Sequence, residues 1–416
     1  MPRASTRAPF PFLVADAQHR PSDDPIFALN AEAQRRARAG ESVVNATLGA
    51  LMQDDGMLAV MPCVSEVLRA VEPRRAAAYA PIAGEPGFLS AVIGDLFGNG
   101  ELASWSLAAA TPGGTGALHH AIVNFLEPGD ALLTTEFHWG PYQTLAEHTR
   151  RRVETFRMFG RDARFDADAF HGAVQRQIAT QKRALILLNS PCHNPTGYSL
   201  DSAEWDEVVR VVRAAAERAP VALLVDHAYA KFGGARANEW VEHVAPLVGE
   251  ALLLVAWTAS KSFTQYGARV GALVAVHPDA DERRRVTNAL SFSCRGTWSN
   301  CNHAGMLAIS SLLNDATLRA RADRERDVLR AVLDERVRAF NAAASGAGLA
   351  YPRYEGGFFV SVFTPAPEKT AARMRELGVF VVPISGAVRV ALCSTPARDV
   401  PRLVQALAYG LEAAGK

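Results

Sequence analysis

The sequence predicts an α/β protein with a large domain, a mostly parallel sheet covered by helices on both faces, and a smaller α+β domain. The first observation is that apolar runs recur between residues 107 and 276, mostly without the polar alternation of a half-exposed sheet. The second is a change after about residue 312 to one long charged helix followed by short strands. We therefore expect an N-terminal arm at 1–23, a small domain at 24–57 and 313–416, and a large cofactor-binding domain at 58–312.

The individual elements follow from the same patterns. The strands predicted for the large sheet are Leu107–Ala110, Ala131–Thr135, Ala184–Asn189, Val221–Asp226, Leu252–Trp257 and Val270–Val276, and helical periodicity separates them, as in Asp201–Arg218. The small domain is predicted to contain a helix at Ile26–Ala39, a short strand within Val43–Gly56, a long helix at Asp315–Ala344, strands at Gly356–Phe363, Val379–Ile384 and Ala387–Cys393, and a closing helix at Val400–Ala413.

Composition limits the possible partners. The 416 residues are 49% hydrophobic and 21% charged, with 44 basic and 43 acidic residues and a net charge of +1. This balance gives no reason to expect nucleic acid or a membrane surface as a partner. The arginine triplets Arg150–Arg152 and Arg283–Arg285 are interpreted as solvated helix faces. The longest apolar run, Ala251–Trp257, is far too short to span a bilayer.

The cysteines and the N-terminus bear on location. The five cysteines are scattered, at Cys63, Cys192, Cys294, Cys301 and Cys393. This pattern favours reduced thiols in a cytoplasmic protein over a disulfide framework or a zinc site, so no metal is expected. The first fifteen residues contain arginine and no acid but also several prolines. They are predicted to form an arm rather than a transit peptide.

Lys261 is an unusual residue for its position. Lysine occurs only at Lys182, Lys231, Lys261, Lys369 and Lys416, and the remaining basic residues are arginine. Lys261 follows the buried strand ending at Trp257 and stands between two serines. A partly desolvated ammonium loses its proton more easily, and the free amine can attack a carbonyl to form a Schiff base. A surface lysine that caps a strand is the alternative interpretation of this residue alone.

Ligands of open parallel sheets bind beyond the carboxyl ends of the strands. The other predicted strands end in residues that could bind the same ligand as Lys261. TPGGTG, ending at Gly116, opens a helix whose free N–H groups suit a phosphate. Trp139 can stack on a flat ring, and Asn194 can offer an amide to a phenolic oxygen. Asp226 would be costly to bury without a cation, and Arg269 suits a phosphate. A phosphate seat, a stacking ring, a carboxylate for a ring nitrogen and a Schiff-base lysine together describe pyridoxal phosphate.

Three motifs in this order resemble the aspartate/aromatic aminotransferase family, the class I aminotransferases among fold type I pyridoxal-phosphate enzymes. They are the SKxxxxxxAR-like spacing from Lys261 to Arg269, the tetrapeptide NPTG at 194–197, and DxAY at 226–229. The resemblance extends from about Asp24 to the C-terminus. It implies the fold type I architecture and pyridoxal 5′-phosphate as the cofactor.

The resemblance also implies roles for individual residues. Lys261 would hold the cofactor covalently and act as the catalytic base, Asp226 would pair with the ring nitrogen, and Asn194 and Tyr229 would contact the ring oxygen. The phosphate would be bound by Gly114, Thr115, Gly116 and Arg269, and Trp139 would stack on the ring. Thr258, where a serine is common in the family, is also implied in cofactor binding. Tyr79, in a YAPIAG stretch similar to the family's YLPIxG, would reach the phosphate of a neighbouring subunit. That implies a homodimer with shared active sites.

A second set of residues is implied in substrate binding. Arg389 in VRVAL matches the family's arginine for the substrate α-carboxylate, with Gly49 and Asn194 assisting. Arg295 in RGTWSN matches the arginine that binds the distal carboxylate of dicarboxylic substrates; a helix-end arginine without that role is the alternative. Leu51 stands where a tyrosine is common in the family, and Cys301-Asn302 stand where prolines are common.

The expected function is therefore amino-group transfer between an L-amino acid, with the aspartate or glutamate type favoured, and a 2-oxo acid, by a ping-pong mechanism. One alternative is an aromatic or broad-specificity aminotransferase. A pyridoxal-phosphate β-lyase of the same fold and a non-catalytic sensor are further alternatives. The physiological donor and acceptor, the pathway and the role of the arm do not follow from the sequence.

Overall fold

The structure is a computed structural model that describes residues 12–21, 25–234 and 238–415. The predicted arm therefore lies largely outside the described residues, as does the predicted helix start at Asp24. The strands are β1 (Val44–Asn45), β2 (Ser106–Thr111), β3 (Ala131–Thr135), β4 (Arg152–Phe156), β5 (Ala184–Asn189), β6 (Val221–Asp226), β7 (Leu252–Thr258), β8 (Gly271–Val276), β9 (Phe359–Phe363), β10 (Val379–Phe380), β11 (Val382–Ile384) and β12 (Ala387–Ala391).

The α-helices of the described residues surround these strands. They are α1 (Ala15–Gln18), α2 (Pro25–Arg38), α3 (Pro62–Ala70), α4 (Pro73–Ala77), α5 (Pro86–Phe97), α6 (Glu101–Ser104), α7 (Gly113–Phe125), α8 (Pro141–His148), α9 (Ala167–Gln181), α10 (Ser202–Ala216), α11 (Trp240–Val244), α12 (Ala259–Ser262), α13 (Ala280–Thr297), α14 (His303–Asn314), α15 (Ala316–Gly346), α16 (Pro367–Glu376) and α17 (Val400–Gly415). Among the described residues, no helix is both long enough and apolar enough to cross a membrane.

A seven-stranded sheet in the order β2-β8-β7-β6-β5-β3-β4 forms the centre of the molecule. The pairs within β3–β7 are parallel, while β8 is antiparallel to both of its neighbours. Alternate residues of one strand enter different cores: Leu223 and Val225 pack on one side, and Ala222 and Leu224 on the other. This two-sided burial explains the continuous apolar runs and confirms the predicted α/β class.

The edge strand β4 was missing from the prediction, and the interpretation of Arg150–Arg152 as a helix face is wrong. Arg150 lies in a turn with φ 60°, and Arg152 begins β4. Arg151 donates from Nε and Nη2 to the carbonyl of Leu126 at 3.1 and 2.8 Å. These arginines therefore close the connection between α8 and the edge of the sheet. Arg283–Arg285 do lie on a helix, near the start of α13.

The C-terminal strands belong to two small sheets, and the N-terminal segment completes one of them. The single strand predicted at Val379–Ile384 is in fact two strands. Strand β10 pairs in parallel with β1, whereas β11 pairs with β12, which in turn pairs with β9. The domain boundaries at 24–57, 58–312 and 313–416 stay predictions.

A buried ion pair connects the segment between β6 and β7 to α5. Lys231 Nζ donates to Asp95 Oδ1 at 2.7 Å, and Trp257 Nε1 donates to Oδ2 at 3.0 Å. Burial opposes ionisation of Asp95, but the charge and hydrogen bond of Lys231, the Trp257 hydrogen bond and the Arg319 charge together hold the pKa of this carboxyl below its usual range. The contact connects α5 to the strand that precedes Lys261.

We expect Lys231→Met to lower the free energy of unfolding at pH 7 by about 3 kcal/mol, because it leaves the Asp95 carboxylate buried without its nearest cation. The lowered pKa of Asp95 means that the contribution is complete above the ordinary aspartate range and is lost as the pH falls through the folded-state value. Urea denaturation of both proteins at pH 7 measures the difference. Lys369→Met, at an exposed lysine, is the control, and equal stability of the two variants would contradict the expectation.

Candidate active site

A cavity of about 150 Å³ lies at the carboxyl edge of the parallel strands. Because β8 is antiparallel to its neighbours, its first residues lie at this same edge of the sheet. There the Ala259 N–H donates to the carbonyl of Val270 at 3.0 Å. The predicted cofactor residues that line the cavity are Gly114, Thr115, Trp139, Asn194, Asp226, Tyr229, Thr258, Lys261 and Arg269. The structure thus brings together side chains from five separate loops. Gly116 does not line this cavity.

Lys261 is held in the one-turn helix α12. The turn begins at Thr258, whose hydroxyl accepts the Ser260 N–H at 3.2 Å. The Lys261 ammonium lies 5.2 Å from the centre of the Tyr229 ring. Burial lowers the pKa of Lys261; the negative charge of Asp226 opposes that effect, and Arg269 adds to it. The amine is therefore more easily freed of its proton than an exposed lysine.

Asp226 ends β6 and is buried, with 7% of its surface exposed. Its Oδ2 accepts a hydrogen bond from Tyr142 Oη at 2.6 Å, and its Oδ1 accepts the Ala228 N–H at 3.2 Å. Burial raises the pKa of Asp226, and the Tyr142 hydrogen bond and the Lys261 charge counteract the rise. Such a carboxylate is stabilised by any cation that enters the cavity.

Asn194 and Tyr229 are adjacent, as expected for two groups that share one ligand oxygen. Asn194 Nδ2 donates to Tyr229 Oη at 3.2 Å. Asn189 positions the loop, since its Oδ1 accepts the Asn194 N–H at 2.7 Å and its Nδ2 donates to the Asp226 carbonyl at 2.8 Å. The Asn194 Oδ1 atom is buried and has no hydrogen-bond partner among the described residues. Burial raises the pKa of Tyr229, so its hydroxyl stays protonated as a donor.

The start of α7 and Arg269 form the cationic end of the cavity. Arg269 has φ 53° and is exposed, and its Nη2 donates to the Pro112 carbonyl at 3.1 Å. A Cβ on Gly113 would lie 2.6 Å from that Nη2, so the guanidinium needs glycine at the helix start. A Cβ on Gly116 would lie 2.5 Å from the Pro112 ring. Gly116 thus permits close packing of the first turn that points the α7 N-terminus at the cavity.

Trp139 and Arg389 connect this cavity to a second one of about 690 Å³. Trp139 and Asn194 line both cavities, and Arg389 lines the second. Arg389 is buried, with its Nη2 donating to the Thr47 carbonyl at 2.7 Å and its guanidinium 4.5 Å from the Phe359 ring centre. A Cβ on Gly49 would lie 2.6 Å from that ring. Gly49 therefore lets the backbone approach the face of Phe359 beside Arg389.

Two predicted residues, Tyr79 and Arg295, line neither cavity within this chain. Tyr79 is 92% exposed. Arg295 lies in the last turn of α13, is exposed, and donates from Nη1 to Ser299 Oγ at 2.6 Å. The predicted role of Tyr79 involves a neighbouring subunit, and the predicted roles of both residues stay predictions.

Three further lining or supporting residues were not predicted: Tyr142, Asn189 and Ser260. Asn189 and Ser260 directly flank predicted motifs, and their position at strand ends was a usable signal. Ser260 Oγ accepts a hydrogen bond from Arg269 Nη1 at 3.3 Å and thus adds a hydroxyl to the cationic end. Tyr142 gave no signal, since a buried aromatic in an amphipathic helix is normally part of the core.

The residues fit pyridoxal phosphate at each polar end of that molecule. Asp226 can accept from a ring N–H, and the Asn194 amide nitrogen and the Tyr229 hydroxyl, which lie side by side, can both donate to the ring oxygen. Arg269, Ser260 and the α7 N-terminus supply donors for a phosphate.

This chain belongs to the class I aminotransferases: residues 42–407 match the family described as Aminotransferase class I and II. The tyrosine aminotransferase of Klebsiella pneumoniae is 31% identical over 381 residues, covering 88% of this chain and 93% of that protein. The crystal structure of an aminotransferase from Anaerococcus prevotii is 32% identical, with a TM-score of 0.92, and covers 97% of this chain and 100% of that one. This likeness confirms the fold type I architecture.

The cofactor of this family is pyridoxal phosphate, and the chain is a pyridoxal-phosphate-dependent aminotransferase. The aromatic-amino-acid aminotransferase of Burkholderia pseudomallei, described as covalently bound to pyridoxal phosphate, is similar to this chain. It is 25% identical, with a TM-score of 0.82, and covers 95% of this chain and 98% of that one.

Proposed function

We propose that this aminotransferase moves an amino group between an L-amino acid and a 2-oxo acid by a ping-pong mechanism, with the aspartate or glutamate type favoured. We also propose that Lys261 is its catalytic base. The observation that carries the assignment is the position of Lys261. It is a lysine with a lowered pKa in the cavity that also contains the buried Asp226 carboxylate. General bases work best when their pKa lies near the operating pH.

The protein groups divide the work of the reaction. Bound pyridoxal phosphate supplies a ring that withdraws electrons from the substrate Cα. Lys261 Nζ would take the proton from the substrate Cα. Asp226 would pair with the ring nitrogen and favour its protonated form, and Tyr229 and Asn194 would orient the ring oxygen. Trp139 would cover one face of the ring and exclude water from it.

Arg389 is proposed to bind the substrate α-carboxylate. A guanidinium binds a carboxylate through two parallel hydrogen bonds, which fixes orientation as well as affinity. Arg389 lies in the cavity that adjoins the cofactor residues through Trp139 and Asn194. Gly49 lets the neighbouring backbone approach closely, and Asn194 offers its amide to the same carboxylate.

The active site is proposed to be shared between two subunits of a homodimer. Tyr79 is 92% exposed in one chain, and Phe292, one turn from the exposed Arg295, is 81% exposed. Large exposed side chains next to functional residues are typical of a surface that another chain covers. In the dimer, Tyr79 would reach the partner's cofactor phosphate and Arg295 the distal carboxylate of the substrate. The cytoplasmic location suggested by the scattered cysteines stays a prediction.

Aromatic amino acids are the second candidate substrates. The larger cavity is lined by the apolar residues Ile26, Phe137, Trp139, Pro383 and Ile384 beside Arg389. An aromatic side chain would gain from burial against such a wall. The names of the tyrosine and aromatic-amino-acid aminotransferases described above favour the same candidate.

The two substrate classes are separated by Arg295→Ala. Without any oxo acid, we expect L-aspartate to bleach the visible absorption of the wild-type holoenzyme. The variant should react with L-aspartate about 100-fold more slowly, because a charge-assisted contact to the distal carboxylate is lost, and should react normally with L-phenylalanine. Stopped-flow absorbance with each amino acid measures both rates.

The control for this experiment is Arg284→Ala, which removes an exposed arginine from the same helix. Among the described residues, Arg284 forms an ion pair only with Asp281. Equal losses on aspartate and phenylalanine would show that Arg295 is not the distal-carboxylate ligand. Bleaching of the wild type by phenylalanine alone would move the specificity to aromatic substrates. A third amino acid that carries a leaving group on Cβ, β-chloro-L-alanine, tests the remaining alternatives. Release of ammonia from it without bleaching would indicate a β-lyase, and no reaction with any of the three amino acids would indicate a sensor.

A further inference from the structure

Tyr142 contacts the carboxylate that we assign to the cofactor ring nitrogen. It is 1% exposed in the first turn of α8, and its hydroxyl donates to Asp226 Oδ2 at 2.6 Å. The Ala228 N–H donates to the other oxygen, Oδ1, at 3.2 Å. A carboxylate oxygen can accept more than one hydrogen bond, so these contacts leave acceptor capacity for a ring N–H.

The phenol ring is fixed by the residues that precede it. The Tyr142 N–H donates to the Trp139 carbonyl at 2.9 Å, and the two rings meet edge to face with centres 5.6 Å apart. The His138 ring lies nearly parallel to the phenol at 6.1 Å. One short segment therefore carries both the indole proposed to stack on the ring and the phenol that fixes Asp226.

The Tyr142 hydrogen bond favours the ionised form of Asp226 and so opposes burial, which raises the pKa of this carboxyl. Burial and the charge of Asp226 raise the pKa of Tyr142 well above its usual range, so the phenol remains a donor. A hydrogen bond from a neutral donor to a charged acceptor is stronger than one between neutral groups. The Lys261 charge also favours ionised Asp226, but Lys261 is proposed to be bonded to the cofactor in the resting enzyme. Tyr142 then remains as the side-chain donor to Asp226 among the described residues.

We propose that Tyr142 is a positioning residue for the cofactor, which holds Asp226 ionised and directed at the ring nitrogen. The inference rests on the proposed role of Asp226. Tyr142 itself does not touch the ring in this assignment, because its hydroxyl is occupied by Oδ2. Its effect should therefore be confined to interactions that pass through the ring nitrogen.

The test compares two cofactors that differ only at that nitrogen. Apoenzyme is titrated with pyridoxal phosphate and with 1-deazapyridoxal phosphate, in which a C–H replaces the ring nitrogen, and tryptophan fluorescence reports binding. We expect the wild type to prefer pyridoxal phosphate. Tyr142→Phe should reduce this preference about tenfold, the size of one hydrogen bond to a charged group.

Tyr198→Phe is the matched control, since it removes another buried phenol, whose hydroxyl bonds to Glu204 outside the cofactor cavity. This variant should keep the wild-type preference. If Tyr142→Phe weakens both cofactors equally, the role of Tyr142 is structural and the inference fails. If the wild type itself shows no preference, the assignment of Asp226 fails, and the inference fails with it.

The double variant Asp226→Asn/Tyr142→Phe tests the inference independently if Tyr142→Phe alone does not fold. In an Asp226→Asn background the buried charge is absent, so Tyr142→Phe should add no further loss of pyridoxal phosphate affinity. Residues that act through one contact are non-additive in this way. A further tenfold loss in that background would overturn the inference.

Discussion

Lys261→Ala should abolish transamination, with turnover reduced by at least about 10⁴-fold, because the variant loses its general base as well as its covalent attachment to the cofactor. The variant should still bind pyridoxal phosphate through the remaining contacts, including those of Arg269 and the α7 N-terminus. It should lack the absorption band that depends on the lysine bond. Steady-state rates and the visible spectrum, recorded after incubation with excess cofactor, measure both effects.

Lys369→Ala is the control for loss of a lysine, because Lys369 is exposed and far along the chain on α16. It should retain the wild-type rate and spectrum. A Lys261→Ala enzyme with a near-normal rate would refute the proposed mechanism. Added alkylamines should restore part of the activity, since a small amine can occupy the space left by the side chain and accept the proton.

Most of the residues that line the smaller cavity could be named from the sequence. Asn194, Asp226 and Lys261 each follow closely on an apolar strand, and the carboxyl ends of parallel strands meet at one edge of a sheet. The order of strands and loops is therefore enough to predict that these three residues lie close together. At the start of α7, Gly113 has a φ of 73° that favours glycine, and a Cβ on Gly116 would lie 2.5 Å from the Pro112 ring.

Tyr142 could not be predicted in this way. Its contact with Asp226 joins residues 84 positions apart, and their strands β3 and β6 are separated in the sheet by β5. Which face of α8 meets the end of β6 depends on packing across that distance. The split of Val379–Ile384 has a similar cause, since its two halves find partners in distant segments, β1 and β12. A single apolar run does not reveal such a change of sheet.

Arg295 and Tyr79 were predicted for a different reason, by resemblance alone. Both are exposed in the single chain, and neither lines the two cavities described above. The homodimer proposed above would give both residues a place in a shared site. Strand β4 was missed because its short RVETF segment begins with the last of three consecutive arginines, whose charge resembles a helix face rather than the edge of a sheet.

Asp226→Asn should lower kcat by about 10²- to 10³-fold, the usual cost of removing one preorganised electrostatic contact from an active site. The amide has nearly the same shape, so folding and Trp139 stacking should survive. It cannot hold a proton on the ring nitrogen, and the charge developed at the substrate Cα is then poorly stabilised. Because Arg389 is untouched, the KM for the amino acid should change far less than kcat. Steady-state kinetics with both substrates, supported by single-turnover bleaching, give the two constants.

Asp166→Asn is the matched control, because Asp166 is also buried but caps α9 and pairs with Arg157 away from the cofactor cavity. Asparagine is nearly as good a helix cap as aspartate, so this variant should keep its kcat. If Asp226→Asn retained kcat within a few fold of the wild type, the ring nitrogen would not need the carboxylate. The buried charge of Asp226 would then serve only the fold, and the hydrogen bond from Tyr142 would be a structural contact.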